Sequence, residues 1–214
     1  GDRTRVSAGG TLLIDNLTYG SNETLEISGT GVANGGALAA TGTSVFNGPV
    51  ALLADASVNV GTGVTLALGG AFTGAFELSK TGAGNVVMSG LSLSSGATRV
   101  RGGSLTLTGS MVPTGGFVVS PGATLNLSGL TTPITLATGV NFTAGRATAA
   151  ATDVTGNLFS GAGNLRVMEG SGIGKMMIAG NLTLNGGTAH FDLSNNPAGA
   201  NDTIEVSGVL DLSA

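Results

Sequence analysis

The chain has 214 residues and is 41% hydrophobic, enough apolar material for the core of a single domain over residues 1–214. Only 9% is charged, glycine occurs 39 times and cysteine not at all, which excludes disulfides and thiolate metal sites and leaves Ser, Thr, Asn and Gly to cover the surface. A net charge of −4 with eight scattered basic residues gives no footprint for nucleic acid, and no run of about 18 apolar residues marks a membrane-spanning helix. No nucleic-acid partner, no membrane insertion of this segment and no cofactor are expected. The chain opens at Gly1 with no secretory signal, which predicts a processed chain or one segment of a longer protein.

In chain order, short runs with alternating apolar residues recur: TLLID (11–15), ETLEIS (23–28), VTLAL (64–68), NVVMS (85–89), SLTLT (104–108), TLNLS (124–128), NLTLN (181–185), TIEVS (203–207) and VLDLS (209–213). Each is bounded by Gly, Ser or Asn, the pattern of a strand between turns. No segment has sustained helical periodicity with caps, and the alanines of 145–156 are interrupted by threonines. The class predicted is all-β.

The spacing is regular. Leu66 is followed by Val86, Leu105 and Leu125 at steps of 19 or 20 residues, with Leu165 forty further on and Phe46 twenty before; Leu184 and Ile204 are related by the same step. A period of about 20 residues holding two or three strands is one coil of a solenoid, and stacking coils about 4.8 Å apart turns these positions into an internal ladder. One coil alone cannot offset a backbone entropy of about 1–2 kcal/mol per residue, so several must stack. About ten coils, a rod roughly 50 Å long, are expected.

The stretch LSKTGAGNVVMSG (78–90), followed by TRVRGGSLTLTG (98–109), resembles the passenger-domain repeat of autotransporter-associated β-helix proteins, through Leu78, Lys80, Gly82, Gly84, Val86, Met88, Ser89, Gly90, Gly103 and Leu105. Residues 180–213 are similar to a second stretch common in that family, and the two regions cover roughly a third of the chain. The resemblance implies a right-handed parallel β-helix outside a bacterial cell. It implies no activity, since such passengers serve as adhesins, enzymes or stalks.

Candidate chemistry is sparse. AHFDLS places Asp192 on the same strand face as His190, two residues on, a spacing that can orient an imidazole, but no GxSxG elbow supplies a nucleophile. Asp153, Glu169 and Arg166 are the nearest approach to a carbohydrate-cleaving set and are off the 20-residue step. GSGIGKMM (170–177) lacks the spacing and the Ser/Thr of a phosphate-binding loop. AGANDTIEV (198–206) echoes a calcium turn in a single copy, so Asp202 reads as a turn residue. Arg99 and Arg101 share a strand face, either gripping an acidic sugar or simply solvated. Asn-x-Ser/Thr triplets at Asn16, Asn22, Asn126, Asn141, Asn181 and Asn201 fit coil corners, where stacked amides hydrogen-bond from coil to coil.

Charge at the two ends differs: Arg3 and Arg5 lie near the start, Asp192, Asp202, Glu205 and Asp211 near the end. Solenoid ends expose unpaired strand edges, and a contact between unlike ends that does not close makes a filament. The expectation is therefore a non-enzymatic, extracellular structural protein on a bacterial surface. It would polymerise head to tail with itself through Arg3, Arg5, Glu205 and Asp211 or form an adhesive stalk, with surface glycans or other cells as further partners. The alternative is a secreted passenger that binds or cleaves carbohydrate, against which the shortage of aromatic platforms counts.

Overall fold

A computed structural model describes residues 2–90, 92–109, 115–145, 152–159, 161–168, 173–195 and 199–212. The alternating runs become strands that are too short to bury an apolar face alone. Each therefore pairs, always in parallel, with the equivalent strand one coil on. The result is a β-solenoid of about 8 turns with about 22 residues per turn and almost no helix.

Each coil visits three strand positions in order. The first face holds Arg3–Val6, Thr24–Gly29, the start of Val50–Val60, Phe72–Gly74 and Ser92–Ser94. Ile134–Thr135, Leu158–Phe159, Leu182–Thr183 and Leu210–Asp211 take the same place in the later coils. The second face runs through Leu12–Asp15, Leu38–Thr41, the end of Val50–Val60, Leu78–Thr81, Thr98–Val100, Phe117–Val119, Asn141–Ala144, Asn164–Val167 and Thr188–His190. The third is Thr18–Tyr19, Thr43–Phe46, Thr65–Leu68, Asn85–Met88, Ser104–Gly109, Thr124–Leu130, Val154–Thr155, Lys175–Ala179 and Thr203–Val206. Val50–Val60 turns the corner between the first two faces without a break, which joins them into one sheet.

Alternate residues point inward and stack. On the third face Leu66, Val86, Leu105 and Leu125 are successive neighbours, as the spacing predicts, and all four are buried. Each contributes about 1.5–3 kcal/mol by leaving water. The ladder then continues through Val154, Ile178 and Val206, at wider steps.

Three expected rungs are corrected. Phe46 lies beside Leu68, and the neighbour of Leu66 is Ser44, whose buried hydroxyl donates to the Ile14 and Thr41 carbonyls. Leu165 belongs to the second face, between Phe142 and Ala189. Ile204 pairs with Met176, so Leu184 is not its neighbour. The cause is a change in coil length. At Phe46 the step is 22, from Ser44 to Leu66; farther on, the chain between second- and third-face strands lengthens from three residues after Thr81 and Val100 to nine, seven and twelve after Ala144, Val167 and His190, so a fixed step of 20 fails there too.

Glycine permits the close approach of coils at the tight corners. A Cβ on Gly70 would lie 2.1 Å from the Gly48 carbonyl oxygen, and one on Gly90 would lie 1.9 Å from that of Gly70. The glycine punctuation is thus a column of coil-to-coil contacts.

Candidate functional site

Inside the stack, the unexpected group is Lys80. Its strand alternates Leu78 in, Ser79 out, Lys80 in, and the register sets Lys80 between Val58 and Val100 on the inner side of the second face. The side chain is 1% exposed, and its ammonium donates to the carbonyls of Gly82 and Gly84 at 2.6 Å and Gly102 at 2.8 Å. Three donors meet three acceptors, two in its own coil and one in the next. Burial pushes the Lys80 pKa down to about 8, because the charged form has lost its water. The surrounding glycines make the cage possible: a Cβ on Gly103 would sit 2.7 Å from Lys80 Nζ and 2.2 Å from the Gly84 oxygen. These glycine carbonyls face a cation of the protein itself and bind no phosphate.

In the later coils the same corner is held by carboxylates. Asp153 is fully buried and accepts the Met177 N–H at 2.9 Å. Asp202, also buried, accepts Gly174 N–H at 2.6 Å with one oxygen and Asp192 N–H at 2.7 Å with the other. Both Asp202 oxygens thus serve as turn acceptors. No group of three or more His, Asp or Glu that could hold a metal occurs among the described residues.

Among the described residues the other candidates do not converge. The strand carrying His190 ends there, so Asp192 falls in the following corner; His190 is exposed, in register with Arg166 on the outer side of the second face. Asp153 points into the corner, away from that row, and Glu169 with Gly170–Gly172 lies outside the described residues. Arg99 and Arg101 both pair with Glu77, at 3.2 and 3.5 Å, and Arg101 also donates to Ser79 Oγ at 3.1 Å. An acidic sugar would have to displace that carboxylate.

At the start of the stack Arg3 and Arg5 lie on the outer side of the first face, pairing with Glu26 at 2.9 and 4.0 Å and otherwise exposed. Where the first coil meets the second there is a hollow of about 160 Å³ whose apolar lining includes Leu12, Ile14, Leu17, Leu25 and Phe46. Tyr19 stacks flat on Phe46 with centroids 5.4 Å apart. Thr4 and Tyr19 donate to the two oxygens of Glu23; the Thr4 hydroxyl, then Tyr19, holds the Glu23 carboxyl below its ordinary pKa, and the Glu23 carboxylate raises that of Tyr19.

At the far end Leu193, Val209, Leu210 and Leu212 are exposed, Leu193 to 73%. Glu205 pairs with Lys175 on the third face, whereas Asp211 lies on the first face, the same face as Arg3 and Arg5. Among the described residues the terminal strands of each face have a strand partner on one side only.

No family model, curated protein sequence or solved structure matches this chain.

Proposed function

We propose that the chain is an extracellular structural β-solenoid that stacks end to end, either as a head-to-tail fibre on a bacterial surface or as part of an adhesive stalk. The observation that carries this reading is the stack itself: in all three sheets each described strand pairs in parallel with its equivalent one coil on, so every coil presents strand edges that a further coil covers in the same way. Such edges pair readily with further strands.

The resemblance of residues 78–109 to the autotransporter passenger repeat supports an extracellular, bacterial setting and a stalk-like role. Chemistry has little support, because among the described residues the acids and the histidine singled out for catalysis lie apart or already accept backbone N–H groups. The partners proposed are further copies of the chain, and surface glycans or other cells as what the stalk adheres to.

Light scattering of the purified chain at neutral pH, across a dilution series and beside negative-stain electron microscopy, tests the reading. Concentration-dependent growth into fibres of uniform width is expected. A single monomeric rod at every concentration overturns the fibre.

A further inference from the structure

We propose that the outer side of the second face around Arg166 binds the carboxylate of an acidic sugar, a uronate unit of a surface glycan, which rests on and deepens the adhesive reading above by giving its glycan partner a place and a charge.

The chain supplies its own comparison. On the outer side of the second face Arg99 stands in register with Ser79 of the preceding coil, and Arg166 stands in register with Thr143 of the coil before it. Each arginine therefore looks across a hydroxyl residue to the position two residues earlier in the chain. For Arg99 that position is Glu77, whose carboxylate it meets at 3.2 Å. For Arg166 it is Asn141, a neutral side chain whose Oδ1 accepts from Asn164 Nδ2 at 3.0 Å. The same geometry is thus built twice, once with its anion and once without.

Among the described residues the other arginines and lysines all have partners. Arg3 and Arg5 pair with Glu26, Arg99 and Arg101 with Glu77, and Lys175 with Glu205, while Lys80 sits in its carbonyl cage. Arg166 is exposed, with no ion pair or hydrogen bond to any of them. An acidic sugar has no internal carboxylate to displace there, in contrast to the Arg99 corner.

The surroundings suit a sugar better than a peptide. The strand of Arg166, Asn164–Val167, is paired on both sides, by Asn141–Ala144 and Thr188–His190, so neither of its edges is left for an extended peptide. Phe142 and Leu165 are buried beneath, which makes the surface a rigid sheet. Facing outward are Thr143 and His190 on either side of Arg166, and Asn141, Asn164 and Thr188 in a row two residues away. Coils about 4.8 Å apart and rows about 6.6 Å apart give a grid of amide, hydroxyl and imidazole groups around one guanidinium. The guanidinium offers a carboxylate two parallel N–H donors, and the groups around it exchange hydrogen bonds with sugar hydroxyls.

Calorimetric titration of the purified chain with a homogeneous oligogalacturonate at low salt tests the site. The fully methyl-esterified oligomer carries the same sugar without the charge, and polyglutamate carries the charge without the sugar. The native chain is expected to bind the acid form about tenfold or more tightly than either. Arg166→Gln removes the guanidinium, whereas Asn141→Glu keeps it and supplies the missing internal carboxylate. Both should weaken binding of the acid form by about tenfold or more and leave far-UV circular dichroism and fibre formation unchanged.

No binding by the native chain, equal binding of the methyl ester or of polyglutamate, or undiminished binding by either variant would overturn the site, and fibres seen by light scattering would still leave end-to-end assembly standing. Selective binding of the acid form by a chain that stays monomeric would overturn the fibre and leave the site standing.

Discussion

The corner between the second and third faces is built in two opposite ways along one molecule. In the middle coils it is three residues long, rich in glycine, and closed by an ammonium that gathers carbonyl oxygens: Lys80 with Gly82, Gly84 and Gly102. In the later coils seven to twelve residues separate the two strands, and Asp202 gathers the corner N–H groups of Gly174 and Asp192, while Asp153 accepts the N–H of Met177 from the adjoining strand. A tight corner turns carbonyls inward, leaving acceptors that need a cation, and a wide corner leaves amide donors that need an anion. Buried backbone groups have to be paired in either case, and the sign of the buried charge follows from which groups the corner exposes.

The two designs fail differently when their central charge is removed. Lys80→Ala leaves a cavity and takes the donor from the Gly82 and Gly102 carbonyls, and is expected to cost about 3–5 kcal/mol in denaturant unfolding at pH 7. Lys80→Met fills the space without supplying a donor and should cost about 1–3 kcal/mol. Asp202→Ala orphans the Gly174 and Asp192 N–H groups and is expected to cost about 2–4 kcal/mol, with Asp202→Asn recovering about half because one acceptor remains.

A pH titration separates the corners further. The folded pKa of Lys80 is about 8, below the ordinary lysine value. At pH values between the two the unfolded chain holds a proton that the folded chain has released, so stability rises with pH across that window, by less than about 1.4 kcal/mol per unit. Guanidinium midpoints at pH 7.5 and 9.5 should therefore increase in the native chain more than in Lys80→Met. Equal changes would mean that the buried ammonium does not titrate there. The smallest effect belongs to the outer surface, where Arg101→Ala loses a half-exposed pair with Glu77 and should cost less than about 1 kcal/mol.

The contrast also explains how far the sequence could be read. Alternation and a step of 19 or 20 residues are legible in the middle coils, so Leu66, Val86, Leu105 and Leu125 fall into one ladder as predicted, whereas the step of 22 from Ser44 to Leu66 displaces Phe46 before them. From residue 130 onward the corners lengthen, the step becomes irregular, and Leu165 moves to another face. Lys80 is the clearest missed signal. Its alternation with Leu78 puts it on the inner side of the strand, but the carbonyls of Gly82, Gly84 and Gly102 that make such a position tolerable for lysine come together only in the folded corner. The end charges were legible as composition only; that Asp211 shares a face with Arg3 and Arg5 while Glu205 does not depends on counting strands through the wide corners.

End-to-end stacking is the claim on which the function turns, and the axial repeat of the assembled protein measures it most directly. With about 8 turns per chain and about 4.8 Å between coils, cryo-electron microscopy of the purified chain should reveal fibres whose density repeats every ~40 Å along the axis. Isolated rods of that length at assembly concentrations, or fibres whose strands run along the axis, would contradict it.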